Sequence, residues 1–192
     1  MLGYDAPRWH AVLNDLPAAL LVAAVLFDLA AAAFKRESLT WAGIWTLWAG
    51  VIGGWVAVVA GKLAEASLQH GEAIHELMER HETMALITMG IFTVVLAWKL
   101  WRRFALAPTE QALTRVLSIA GLATLVWTGI LGGTLVFEHA AGIPTHTLQA
   151  EIQDRVTGHQ HEELERREDA AGADSTKTPA HVDPPGTPPH KH

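Results

Sequence analysis

The sequence predicts an all-α fold, an integral membrane four-helix up-down bundle followed by a largely disordered C-terminal tail. Four long apolar segments occupy the first three quarters of the 192-residue chain, and a helix needs about 20 apolar residues to cross a bilayer. Short polar connections follow the first and third segments, as is typical of antiparallel neighbours. We therefore expect a four-helix membrane domain over residues 1–147 and a charged, His- and Pro-containing periplasmic tail over residues 148–192.

The four predicted spans are 12–34, 41–63, 84–101 and 113–137. The second and fourth carry small-x-x-x-small patterns, Gly50 to Gly54 and Gly129 to Gly133, that allow helix backbones to approach closely. Gly132 and Gly133 would also leave room for a flat cofactor against the helix. Asp28 near the end of the first span and Arg115 near the start of the fourth lie at a similar depth, and we expect a structural ion pair between them.

Basic residues in the short loops predict the orientation. Most of them lie on the side of the first and third loops, which is therefore expected to be cytoplasmic: Lys35, Arg36, Lys99, Arg102, Arg103 and Arg115. Only Arg8, Lys62 and Arg80 lie on the other side outside the tail. The chain is thus predicted to be a multi-pass protein of the bacterial inner membrane with both termini in the periplasm.

Composition limits the chemistry. The chain has no cysteine, which excludes disulfides, iron–sulfur clusters, thiolate zinc sites and covalently attached c-type haem. The net charge of −6 comes largely from the tail and gives no reason to expect a nucleic-acid partner. A charged helix is expected over residues 147–169 and disorder over residues 170–192.

Histidines gather on one predicted face of the membrane. His10 precedes the first span, His81 precedes the third, His139 follows the fourth, and His75 lies in the loop before the third. Imidazoles at one end of a helical bundle are ready ligands for haem iron. Asp15 either orients a ligating imidazole by accepting its second N–H or caps a helix.

The leading hypothesis is a b-type haem protein or subunit that relays electrons at the periplasmic face through a bis-histidine site. We predict His81 and His139 as the first pair of axial ligands and His10 and His75 as the next. The expected partners are the lipid bilayer and a periplasmic or membrane redox protein. Because no nucleophile–base constellation emerges, an electron-transfer or structural subunit is expected rather than a catalyst.

Two alternatives remain open at this stage. The histidines, with neighbouring carboxylates, suit a periplasmic-face module that binds copper, zinc or nickel. The glycine-rich helix faces suit a structural subunit of a larger membrane complex without a cofactor.

The ends of the helical region resemble a known family. Residues 8–20, Arg-Trp-His-Ala-Val-Leu-Asn-Asp-Leu-Pro-Ala-Ala-Leu, are similar to the opening pattern His-Pro-x-x-Val-His-Phe-Pro-Ile-Ala-Leu of a bacterial four-helix membrane family catalogued as domain of unknown function 2231. Residues 129–143 resemble its closing pattern, Gly-x-Leu-Gly-Gly-x-Leu-Val-Tyr-x-His-Gly-x-Gly-Val.

The resemblance covers about residues 10–143 and implies that His10, His81 and His139 are the matched positions, with His75 beside them. Ala11 stands where the opening pattern has proline, and Asp15 stands where it has a second histidine. Fusion of relatives to Rieske-type iron–sulfur domains implies redox work at the periplasmic face.

Overall fold

A computed structural model describes residues 5–68 and 72–158 of the chain. It contains four long helices, α1 (Ala6–Phe34), α2 (Glu37–Ser67), α3 (Glu72–Trp101) and α4 (Pro108–Phe137). No strand occurs within these described ranges, so the predicted all-α class is confirmed. A further helix over residues 145–158 belongs to a second compact unit that starts at Pro144. The predicted helix beyond residue 158 and the predicted disorder of residues 170–192 lie outside the described residues.

Each of the four helices is long and apolar enough to cross a membrane, as predicted from the four apolar segments of the sequence. Three of them end at the predicted residue, and all four begin earlier than predicted. The first turns of the helices are polar, so hydropathy does not reveal where the helices begin. In α1 the start is marked by Asp5, which caps the helix by accepting a hydrogen bond from the Arg8 backbone N–H. As a consequence, the histidines expected in front of the spans lie inside helices.

The helices neighbour one another in sequential order around the bundle, with α4 returning to α1. The packing is closest within the α1–α2 and α3–α4 hairpins. α1 and α3 therefore stand diagonally, and their side chains meet in the middle of the bundle.

The two hairpins repeat the same internal packing. Leu21 of α1 packs on Gly50 of α2, and Phe92 of α3 packs on Gly121 of α4. Equivalent residues lie 71 positions apart in the sequence, as do Asp28 and Lys99, which bond to each other. These residues thus occupy equivalent positions in the two hairpins, and Asp28 and Lys99 face each other across the middle of the bundle.

A buried layer of apolar side chains forms the centre of the bundle. Leu21, Phe92 and Val95 are almost completely buried, and Val25, Leu47, Val51 and Met89 complete the cluster. The Gly50–Gly54 pattern lies in this layer, as predicted for helix packing, with Gly50 against Leu21 and Gly54 against Met89. The Gly129–Gly133 pattern does not, because neither glycine has a non-local neighbour within 4 Å; α4 turns that face outward.

Three charged side chains meet near the ends of α1 and α3. Asp28 Oδ1 lies 2.9 Å from Lys99 Nζ, and Asp28 Oδ2 lies 3.3 Å from Arg115 Nε. The expected pair between Asp28 and Arg115 is present, and Lys99 is a second, closer cation. One carboxylate thus serves two cations.

Substitution of Gly50 by alanine is expected to destabilise the bundle by about 1–3 kcal/mol, the usual range for overpacking. The new Cβ would lie 2.9 Å from Leu21 Cδ2 and 3.2 Å from the Leu21 backbone nitrogen. Gly90→Ala is the matched control, since nothing lies within 4 Å of its Cβ position and alanine favours helix by about 1 kcal/mol. Thermal unfolding in detergent measures both, and equal midpoints for the two variants would contradict the packing described.

Asp28→Asn is expected to cost about 2–3 kcal/mol, because it leaves two half-buried cations without their shared carboxylate. Adding Lys99→Met to Asp28→Asn removes one of the stranded charges and is expected to restore part of the loss. Thermal unfolding of the single and double variants tests the coupling. A double variant less stable than Asp28→Asn would show that Lys99 does not depend on this carboxylate.

Candidate ligand site: a pair of histidines

His10 of α1 and His81 of α3 meet between the two hairpins. Their ring centroids are 6.5 Å apart and the ring planes are nearly perpendicular, at 86°. Both side chains are half-buried. They occupy equivalent positions in the two hairpins, 71 residues apart, as do Asp28 and Lys99.

Each imidazole is fixed by a backbone carbonyl of the partner helix in its hairpin. His10 Nδ1 lies 3.0 Å from the Ala57 oxygen, and His81 Nδ1 lies 3.0 Å from the Thr128 oxygen. A carbonyl oxygen only accepts, so Nδ1 carries the proton in both rings and Nε2 of the neutral ring keeps its lone pair. Such a bond at one nitrogen is the usual support for a histidine that ligates a metal through the other.

Glycine makes room for both rings. A Cβ at Gly61 would lie 3.0 Å from His10 Cε1, and a Cβ at Gly132 would lie 3.1 Å from His81 Cε1. Each glycine lies four residues after the residue whose carbonyl its histidine contacts, so no side chain there keeps the Cε1–Nδ1 edge of the ring from reaching the oxygen. The room expected beside Gly132 therefore exists, and the ring of His81 occupies it.

Polar groups flank the pair on both sides. Lys62 and Glu82, next in sequence to Gly61 and His81, form an ion pair that joins α2 to α3. On the other side, the hydroxyl of Thr88 donates to the hydroxyl of Thr124 at 2.9 Å. The pair thus lies at the boundary between the polar end of the bundle and its apolar centre.

In the structure the partner of His81 is His10, whereas the sequence pattern predicted His139 as its partner. His139 follows the end of α4 and is exposed. His75 is not in a loop, because α3 already begins at Glu72; it is exposed and lies 3.4 Å from Glu79. His75 and His81 therefore stand on one continuous helix, with His75 nearer its start.

The support for His10 is also different from the one expected. Asp15 is exposed. The acceptor that orients His10 is the carbonyl of Ala57, and the residue that caps α1 is Asp5. Asp15 therefore neither orients His10 nor caps α1.

One signal in the sequence points to the observed pair. Each histidine is followed at the same interval by the residue whose carbonyl it contacts, 47 positions later in both cases. The glycine under each ring follows four residues after that. Comparing the first half of the chain with the second at a spacing of 71 residues aligns His10 with His81 and leaves His139 without a counterpart among the histidines.

No group of three or more histidine, aspartate or glutamate side chains suited to a metal ion occurs in the described part of the chain. The site is therefore a pair of imidazoles, each bonded to a backbone carbonyl through Nδ1.

A family model covers this whole arrangement. The model, described as predicted membrane protein (DUF2231), matches residues 8–145, which include both histidines and all four long helices except the first two residues of α1. No curated protein and no solved structure matches the chain. The resemblance drawn from the opening and closing motifs is confirmed.

Gly132→Val is expected to push the His81 ring off the Thr128 carbonyl and to expose it to reagents. Modification by diethylpyrocarbonate, mapped by mass spectrometry, should then be several-fold faster at His81 than in the unchanged protein. Gly129→Val, one turn away on the same helix with open space around it, is the control and should leave the rate unchanged. Equal acceleration by both substitutions would mean that the glycine does not hold the ring in place.

Proposed function

This chain belongs to the DUF2231 family of predicted membrane proteins, and we propose that it is a b-type haem protein that relays electrons at the membrane surface. In this proposal His10 and His81 are the axial ligands of the iron. The single observation that carries it is the meeting of two imidazoles from diagonal helices, each held at Nδ1 by a backbone carbonyl.

The spacing of the rings suits two ligands on one metal atom. Two imidazole nitrogens that bind one metal from opposite sides, with bonds of about 2 Å, place their ring centroids about 6 Å apart. The observed separation is 6.5 Å. His10 and His81 would hold the iron between their two rings.

The number of ligands favours haem over a bare metal ion. Zinc in proteins usually takes three or four side-chain ligands. Haem iron needs only its axial ligands from the protein, since the porphyrin supplies the other four donors. A pair of histidines that no third ligating side chain joins, among the residues described, fits the second requirement better than the first.

The protein residues have defined tasks in this proposal. Bound haem would supply a one-electron carrier. The carbonyls of Ala57 and Thr128 hold each imidazole with Nε2 available and raise its basicity as a ligand. Gly61 and Gly132 let the rings lie close to the helices. The two hairpins contact each other less closely than the two helices within each hairpin do. A flat cofactor would enter between the hairpins.

Orientation follows from charge. The end of the bundle opposite the histidine pair carries Lys35, Arg36, Arg102 and Arg103 in short connections, and positive loops stay in the cytoplasm. We propose that the histidine pair lies toward the periplasm of a bacterial inner membrane, with both ends of the four-helix unit on that side. The redox partner would then dock from the periplasm or from within the membrane.

An absorption spectrum tests the proposal directly. The full-length protein, expressed with added haem precursor and purified in detergent, should show a Soret band and sharp α and β bands on reduction. His10→Ala and His81→Ala should each lower the bound haem at least several-fold, because each removes one axial ligand. Added imidazole should restore part of the low-spin spectrum in both variants.

His75→Ala and His139→Ala are the matched controls, since both residues are exposed histidines toward the same end of the bundle. Both variants should retain the spectrum. Loss of the band in His139→Ala but not in His10→Ala would return the ligand pair to the one expected from the sequence pattern. A wild-type protein that takes up no haem and instead binds copper, zinc or nickel by metal analysis would replace the haem proposal with the metal-binding alternative.

A further inference from the structure

A second site lies at the opposite end of the bundle. A cavity of about 460 Å³ opens between the end of α1, the start of α2 and the α3–α4 connection. It contains the charged triad of Asp28, Lys99 and Arg115, together with Lys35 and Arg36 from the first connection. The histidine pair is not part of its lining.

Positive charge is in excess in this cavity. Four of the lining side chains are cationic and only two, Asp28 and Glu37, are anionic. Asp28 is shared by Lys99 and Arg115, so the half-buried triad keeps one positive charge. None of the ion pairs within the described residues includes Lys35 or Arg36. This excess of positive charge in one cavity attracts anions, and a bound anion would balance it.

The cavity also contains a buried hydrogen-bond donor without an acceptor among the described residues. Arg115 Nε is buried and has no hydrogen-bond acceptor in the described part of the chain, although Asp28 Oδ2 lies 3.3 Å away. α2 begins at the cavity wall, and its N-cap residue Arg36 makes no side-chain capping bond. The first backbone N–H groups of a helix attract phosphate groups, both as donors and through the helix dipole.

Part of the remaining wall is apolar. Ala31 and Ala32 of α1, Ile44 of α2, and Phe104 and Leu106 of the α3–α4 connection line the cavity beside the cations. A ligand that fits both parts carries a phosphate group and an adjoining apolar portion. Basic pockets between membrane helices are suited to the headgroups of anionic lipids.

We propose that this cavity binds a phosphate-bearing anion, with Arg115, Lys99, Lys35 and Arg36 as the cationic contacts. The phosphodiester of an anionic phospholipid offers both the phosphate group and the apolar portion, and free phosphate offers the phosphate group alone. The proposal is independent of the haem proposal, because the two sites share no residue.

The test is thermal unfolding of the full-length protein in detergent. Dioleoylphosphatidylglycerol added to the micelles should raise the midpoint by about 5 °C relative to the same amount of dioleoylphosphatidylcholine, as expected near saturation of one site. Inorganic phosphate at millimolar concentration forms the second arm. A rise with phosphatidylglycerol alone identifies a lipid occupant, and an equal rise with inorganic phosphate identifies a soluble anion. A midpoint that responds to neither probe overturns the proposal.

Variants separate the cavity from general attraction to negative lipids. Arg115→Gln and Arg36→Gln should each remove at least half of the rise. Arg103→Gln removes one positive charge at the same end from a residue outside the cavity lining, and it should leave the rise intact. Arg36 is exposed, so its variant remains informative if Arg115→Gln folds poorly. An equal loss in the Arg36 and Arg103 variants would overturn the proposal.

Discussion

The contact of a large side chain with a glycine on the neighbouring helix is the interaction on which this bundle depends. It brings Leu21 and Phe92 into the apolar centre against Gly50 and Gly121. Lipid tails are as apolar as the helix surfaces, so close packing rather than hydrophobic burial drives helices together in a membrane. The same contact recurs where the large side chain is histidine, and there it creates the candidate ligand site.

Two ionisable side chains of α1, His10 and Asp28, mark two levels inside the bundle. His10 and Asp28 are 18 residues apart on α1, and a helix rises about 1.5 Å per residue, so the two levels are about 27 Å apart. This is close to the thickness of the hydrocarbon layer, about 30 Å. The apolar layer of Leu21, Phe92 and Val95 separates them. The histidine pair and the cationic cavity therefore lie at opposite ends of this apolar layer.

Several features of the fold were predictable because they depend on composition alone. Long apolar runs determine the four spans, and the last residues of the first and third are predicted correctly because a basic connection follows each of those runs. The polar first turns were missed, since hydropathy does not distinguish a polar helical turn from a loop. That error placed His75 in a loop and His10 and His81 in front of helices, although all three lie inside them.

The sequence by itself determined the helical class, the number of spans, the family and the exclusion of cysteine-based cofactors. Only the tertiary structure decided which histidine faces His81. Four histidines were assigned to one end of the bundle, and nothing local to each residue distinguishes them. The choice of His10 follows from the diagonal placement of α1 and α3 and from Gly61 and Gly132, which let both rings reach a backbone carbonyl. Those contacts join residues 47 positions apart, and they exist only once the helices have packed.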